Sequence, residues 1–110
     1  MIGRCQEGLI VTTSFEFKLK DTLKFESSRN SAIKAREEIF FLLEKFDVIE
    51  IDIQDVNFTI SVADEIIGEL ARILGAESFR GRIKVVNASE SQMALMKHVI
   101  ARRLQINNIR

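Results

Sequence analysis

"VIEIDIQDVNFTISVADEIIGEL", residues 48–70, carries two periods, and the point where one replaces the other decides the fold. Ile49, Ile51 and Ile53 alternate with Val48, Glu50 and Asp52, as in a strand that buries one face. Beyond Ser61, the residues Ala63, Ile66, Ile67, Leu70 and Leu74 recur at helical spacing and form a single stripe. Gly75 follows, the residue type that most easily ends a helix in the left-handed region. A strand that feeds a helix within a few residues is half of a strand-helix-strand unit, so the flanking sequence must supply the rest.

Downstream, "RIKVVN" (82–87) is predicted as a strand with Ile83 and Val85 on one side and Gly81 turning the chain before it. In "NASESQ" (87–92), Ser89 and Gln92 have capping-box spacing, and the helix they open has the stripe Met93, Met96, Val99, Ile100 and Leu104. Upstream, Ala32, Ala35, Ile39, Leu42, Leu43 and Phe46 predict a helix over 29–46, with Lys34, Glu37, Glu38, Glu44 and Lys45 outward. "IFFLL" (39–43) is wider than one stripe needs, which makes Phe40 or Phe41 a candidate dimer contact. Earlier still, "TTSFEFKLK" (12–20) alternates Phe15, Phe17 and Leu19 with Glu16, Lys18 and Lys20. Leu9 and Val11 keep that parity, and Leu23 and Phe25 alternate again, which predicts a hairpin turning near Lys20 and Asp21.

The resulting order predicts an α/β fold with a mixed sheet of four to five strands. The opening hairpin is expected to be antiparallel and the later crossovers parallel. Because each strand alternates, the three helices are expected mainly on one face, leaving Glu16, Lys18, Glu50, Asp52 and Lys84 on the other. The 110 residues, 46% hydrophobic, suit one domain over 1–110, with 1–8 expected flexible and 106–110 frayed. Sixteen basic and 16 acidic side chains cancel, removing the broad positive field of a non-specific nucleic-acid or membrane binder. Cys5 is the one cysteine, so no internal disulfide forms. No apolar run approaches the roughly 20 residues of a membrane span, and no leader pattern opens the chain, so a cytoplasmic location is expected.

Chemistry-bearing motifs are sparse. His98 is the one histidine, so a metal site, a cysteine-histidine dyad or a Ser-His-Asp site would depend on distant parts of the chain. The glycines form no phosphate-binding pattern, and Gly68, inside a helix, points to close packing with a neighbour. No enzyme, cofactor or metal is expected. Lys97, His98, Arg102, Arg103 and Arg110 are clustered basic residues, and Lys97, Arg102 and Arg103 make the alternative nucleic-acid patch. Cations near a helix C-terminus also complement its dipole.

Ser28 and Arg29, then "IEIDIQDV" (49–56), then "SVADEIIG" (61–68) resemble the pattern of a bacterial STAS-like domain of unknown function, a relative of the STAS domain of anti-anti-sigma factors. The pattern runs over roughly 12–104. Val62 stands where that pattern has phenylalanine, and the stretch from Val56 to Ser61 is one residue shorter. Ile60 and Ala63 stand where the anti-anti-sigma factors have the aspartate and glycine of their phosphorylation motif. The resemblance implies a non-enzymatic regulatory domain, monomeric or weakly dimeric, that docks on a histidine-kinase-like ATPase through the start of its second helix. Ser61 matches the switch serine by position, and Arg29, Asn57, Thr59, Ser61, Asp64 and Glu65 are the expected partner-binding residues.

The residues alone also allow a plainer reading, in which Ser61 is the N-cap and Asp64 and Glu65 complement the helix dipole. Arg29 lies at the start of its helix, where the dipole favours anions, so it is expected to pair with Asp64 or Glu65, with a bound anion as the alternative partner and a solvated arginine as the plainer reading.

Overall fold

The computed structural model describes residues 13–23 and 29–108, and the side chains among these up to residue 104. The expectations for residues 1–8, Leu9, Val11, Phe25, Ser28 and Arg110, and Cys5 with them, lie outside the described residues. The elements are β1 (Ser14–Lys18), α1 (Leu19–Leu23), α2 (Arg29–Leu43), β2 (Val48–Asp52) and a central helix over 60–74. That helix is α3 (Ile60–Ala63), a π-helical turn (Asp64–Gly68) and α4 (Glu69–Leu74); α5 (Ala76–Arg82), β3 (Ile83–Val86) and α6 (Glu90–Asn108) follow.

Among the described residues the sheet has three strands in the order β1-β2-β3, all parallel. Phe17 lies opposite Ile51, and Ile51 opposite Val85. The α/β class is as expected, but the described sheet is smaller than four to five strands and parallel rather than mixed. The chain does not turn back at Lys20 and Asp21: α1 begins at Leu19, and β1 pairs with β2 instead. Leu19 and Leu23 are both buried, four residues apart. A separation of four satisfies the strand period and the helix period alike, so parity could not tell a continuing strand from one helical turn.

The core combines Phe17 and Leu19, the isoleucines of β2 and its loop, Ala35 and Ile39 of α2, Ile66, Ile67 and Leu70 of the central helix, and Met96 and Val99 of α6. On the opposite face Glu16, Lys18 and Lys84 are exposed and Glu50 is half-buried, but Asp52, expected there with them, is buried. Both α2 and α6 pack against the π-helical turn, which places the central helix between them.

Two helices, α1 and α5, have no counterpart in the sequence periodicity. No residue of α5 is buried, so "AESFRGR" offered no apolar stripe to read, and Gly81 lies within that helix instead of turning the chain. Gly75 does end α4, at φ 85° and ψ 161°, a region open essentially to glycine alone rather than the left-handed helical one. The carbonyls at the end of α2 are satisfied by Arg82, which donates to Leu43 O at 2.6 Å, Phe46 O at 3.0 Å and Asp47 O at 3.0 Å.

Candidate functional site

The central helix rises from the carboxyl end of β2, the end of a parallel sheet where α/β folds gather their binding residues. The buried Asp52 ties the loops there together, accepting from Gln54 N and from Asn87 Nδ2, both at 3.0 Å. The Gln54 amide first and Asn87 second hold its carboxyl below the usual range, against burial. Asn87 has φ 61°, a left-handed conformation that asparagine tolerates. Gln92 donates to Val56 O at 3.2 Å and closes a reciprocal capping box with Ser89, Ser89 N to Gln92 Oε1 at 2.8 Å and Gln92 N to Ser89 Oγ at 3.1 Å.

The N-cap of the central helix is Thr59, not Ser61. Thr59 has extended backbone, and its hydroxyl accepts from Val62 N at 3.2 Å. Ser61 is two positions into the helix and exposed, beside Ile60 at 52% exposure and the exposed Asn57. An apolar side chain and a hydroxyl thus share the first turn, at the positive end of the dipole.

Asp64 and Glu65 point to opposite neighbours. The Arg103 guanidinium of α6 forks onto Asp64, Nε to Oδ1 at 2.9 Å and Nη2 to Oδ2 at 2.7 Å, and its Nη1 donates to Glu69 Oε2. Arg72 forks onto Glu69 as well, with Nη2 2.8 Å from Oε1 and Nε 3.2 Å from Oε2. On the α2 side, Arg36 Nη1 donates to Glu65 Oε2 and lies 3.3 Å from Glu65 O, and Arg29 Nε lies 3.4 Å from Glu65 Oε1. This meets the expected pairing of Arg29 with one of the two acids. Arg29 is itself 65% exposed, whereas Glu65 is only 14% exposed.

The π-helical turn explains how one guanidinium holds both Asp64 and Glu69. Glu69 N donates to Asp64 O, a five-residue step that brings positions i and i+5 over one another, where an α-helix would swing them apart. Arg103 holds the Asp64 carboxyl well below the usual range. Glu69 is lowered to about 2, first by the Arg72 hydrogen bonds and then by those of Arg103, against burial.

The helix stripes are accordingly longer than their apolar parts. On α6 the inward residues are Gln92, Met96, Val99 and Arg103, whereas Met93, expected in the stripe, is exposed. Gln92, not Met93, continues the stripe by one turn because its amide satisfies the Val56 carbonyl. On α2, Arg29 and Arg36 head the line that continues through Ile39 and Leu43. Arg36, Glu69 and Arg72 were not foreseen as site residues, since a search for apolar periodicity passes over them.

Of the alternative nucleic-acid patch, Lys97 and Arg102 are exposed while Arg103 is held by two carboxylates; His98 is also exposed. Among the described residues, no group of three or more histidine, cysteine, aspartate or glutamate side chains is placed to hold a metal ion, and no helix is long and apolar enough to cross a membrane. Comparison of the chain with protein-family models, with characterised proteins and with solved structures finds no match.

Proposed function

We propose that the chain is a non-enzymatic regulatory domain of the STAS-like kind, which docks on a histidine-kinase-like ATPase through Asn57, Ile60 and Ser61 at the start of the central helix. The observation that carries the reading is the division of labour in that first turn. Thr59 provides the cap, so the exposed Ser61 hydroxyl is not needed for it, and Ile60 adds exposed apolar area next to it. Asp64 and Glu65 act through the helices they fasten, not by direct contact with the partner.

The site also suits a phosphate on Ser61. The positive end of the helix dipole favours an anion there, and the two acids that would repel it each have an arginine partner. The nucleic-acid alternative is less well supported, because Arg103 is engaged within the fold and Lys97 and Arg102 remain as its exposed cations.

Calorimetric titration of a histidine-kinase-like ATPase domain with the full chain tests the reading. Ser61→Asp is expected to weaken binding by adding charge at the contact, and the Lys97→Ala, Arg102→Ala pair to leave it unchanged. Equal affinity of wild type and Ser61→Asp would remove Ser61 from the contact.

A further inference from the structure

Away from the central helix, the outer side of β1 combines an open groove with a strand edge that is unpaired among the described residues. The groove, about 490 Å³, is lined by Phe15 and Phe17 of β1 and by Lys34, Glu37, Phe41 and Leu42 of α2. Phe15 is 36% exposed and Phe41 58% exposed. Among the described residues no strand pairs with β1 on the side away from β2.

The backbone fixes which groups that edge offers. Val48 N donates to Thr13 O at 3.0 Å, so Thr13, Phe15 and Phe17 direct their amides and carbonyls toward β2. Ser14, Glu16 and Lys18 therefore direct theirs outward. We infer that this edge is a self-association surface, occupied by the β1 edge of a second copy in an antiparallel, two-fold pairing centred on Phe17.

Charge selects the register. An antiparallel pair of identical strands that bonds through Ser14, Glu16 and Lys18 has few choices. Centring on Glu16 sets two carboxylates directly opposite, and centring on Lys18 sets two ammonium groups opposite, both unfavourable. Centring on Phe15 gives Glu16 only Ser14. Centring on Phe17 sets Glu16 against Lys18 twice, by symmetry, with the two Phe17 residues forming the close pair between them. The same pairing brings the two apolar grooves together, and their rims carry both signs, Lys34 with Glu37 and Glu38. The two sheets join through residues 16–18, and the pairing ends where α1 begins at Leu19.

Sedimentation equilibrium on the full chain tests this with three samples besides wild type: Glu16→Lys, Lys18→Glu, and the two variants mixed in equal amounts. Glu16 and Lys18 are exposed, but Lys18 lies across the sheet from the buried Asp52, so circular dichroism confirms that each variant is folded before its Kd is read. Wild type is expected to dimerise, and each single variant to raise the dimer Kd about tenfold or more, because one substitution places like charges opposite each other at two positions. The mixture is expected to recover wild-type association, since the variants restore unlike pairs across the two-fold. A monomeric wild type, an unchanged Kd in both single variants, or a mixture no tighter than its components would each overturn the inference.

Discussion

Gly68 lies so close to Arg103 that a β-carbon on it would stand 3.1 Å from Arg103 Cγ, and 2.7 Å from Asp64 Oδ1. A glycine inside a helix is unfavourable relative to alanine by about 1 kcal/mol, so its presence here reflects the space the ion pair needs. Gly68→Ala is expected to destabilise the fold, reversing the sign that helix propensity alone gives. In an Arg103→Ala background, where Asp64 is free to swing aside, the same substitution is expected to be neutral or stabilising. Urea unfolding of the four proteins reads both signs.

Arg103 joins α6 to the central helix through two carboxylates, and its side chain is largely buried. Removing it leaves Asp64 without its partner, and Arg103→Ala is expected to cost about 2–4 kcal/mol. Arg103→Lys keeps the charge but not the planar fork, so an intermediate loss is expected. A loss as small as that of an exposed lysine such as Lys97→Ala would show that the network carries no stability.

The acids set a pH dependence with a definite sign. Glu69 is lowered in the folded state from 4.5 to about 2, and Asp64 is lowered too, so folding is favoured while both are ionised. This stability is fully present above the unfolded-state value and is lost as pH falls from about 4.5 toward 2. Glu69→Gln is expected to flatten the stability curve in that window and to leave its slope above pH ~6 unaltered. An equally steep acid limb in the variant would assign it to other groups.

Because Thr59 provides the cap and Ser61 does not, the two alanine variants should differ. Thr59→Ala is expected to cost about 1 kcal/mol, and Ser61→Ala to stay within about 0.5 kcal/mol of wild type. Ser61→Asp is expected to be neutral or slightly stabilising, as an anion near a helix N-terminus. Thermal unfolding monitored by circular dichroism separates the three, and a Ser61→Ala loss equal to that of Thr59→Ala would return the capping role to Ser61.

Much of the architecture could be read where burial and periodicity coincide. The β2 isoleucines, the central stripe and the Ser89 capping box all lie where the sequence places them, because each uses one face or one local bond. Three features were hidden for physical reasons. Leu19 and Leu23 share a spacing that strand and helix both allow. The α5 helix has no fully buried residue, and Phe79 alone is a partly buried aromatic, too little to mark a stripe. The fasteners Arg36, Arg103 and Glu69 form contacts across 29–39 residues, and the Asp64–Glu69 step becomes a shared face only within a π-helical turn. The Thr59 cap was legible in principle, since it is three residues before Val62, but Ser61 was the more conspicuous candidate.

The acids following Ser61 act as internal fasteners, and paired double-mutant cycles in urea test this most directly. One cycle joins Asp64→Ala with Arg103→Ala, the other Glu65→Ala with Arg29→Ala. The forked, largely buried Asp64–Arg103 pair is expected to couple by about 1.5–3 kcal/mol. The Glu65–Arg29 pair, whose arginine is 65% exposed, is expected to couple by no more than about 0–1 kcal/mol. Coupling near zero between Asp64 and Arg103 would contradict the claim and return Asp64 to the candidates for direct partner contact.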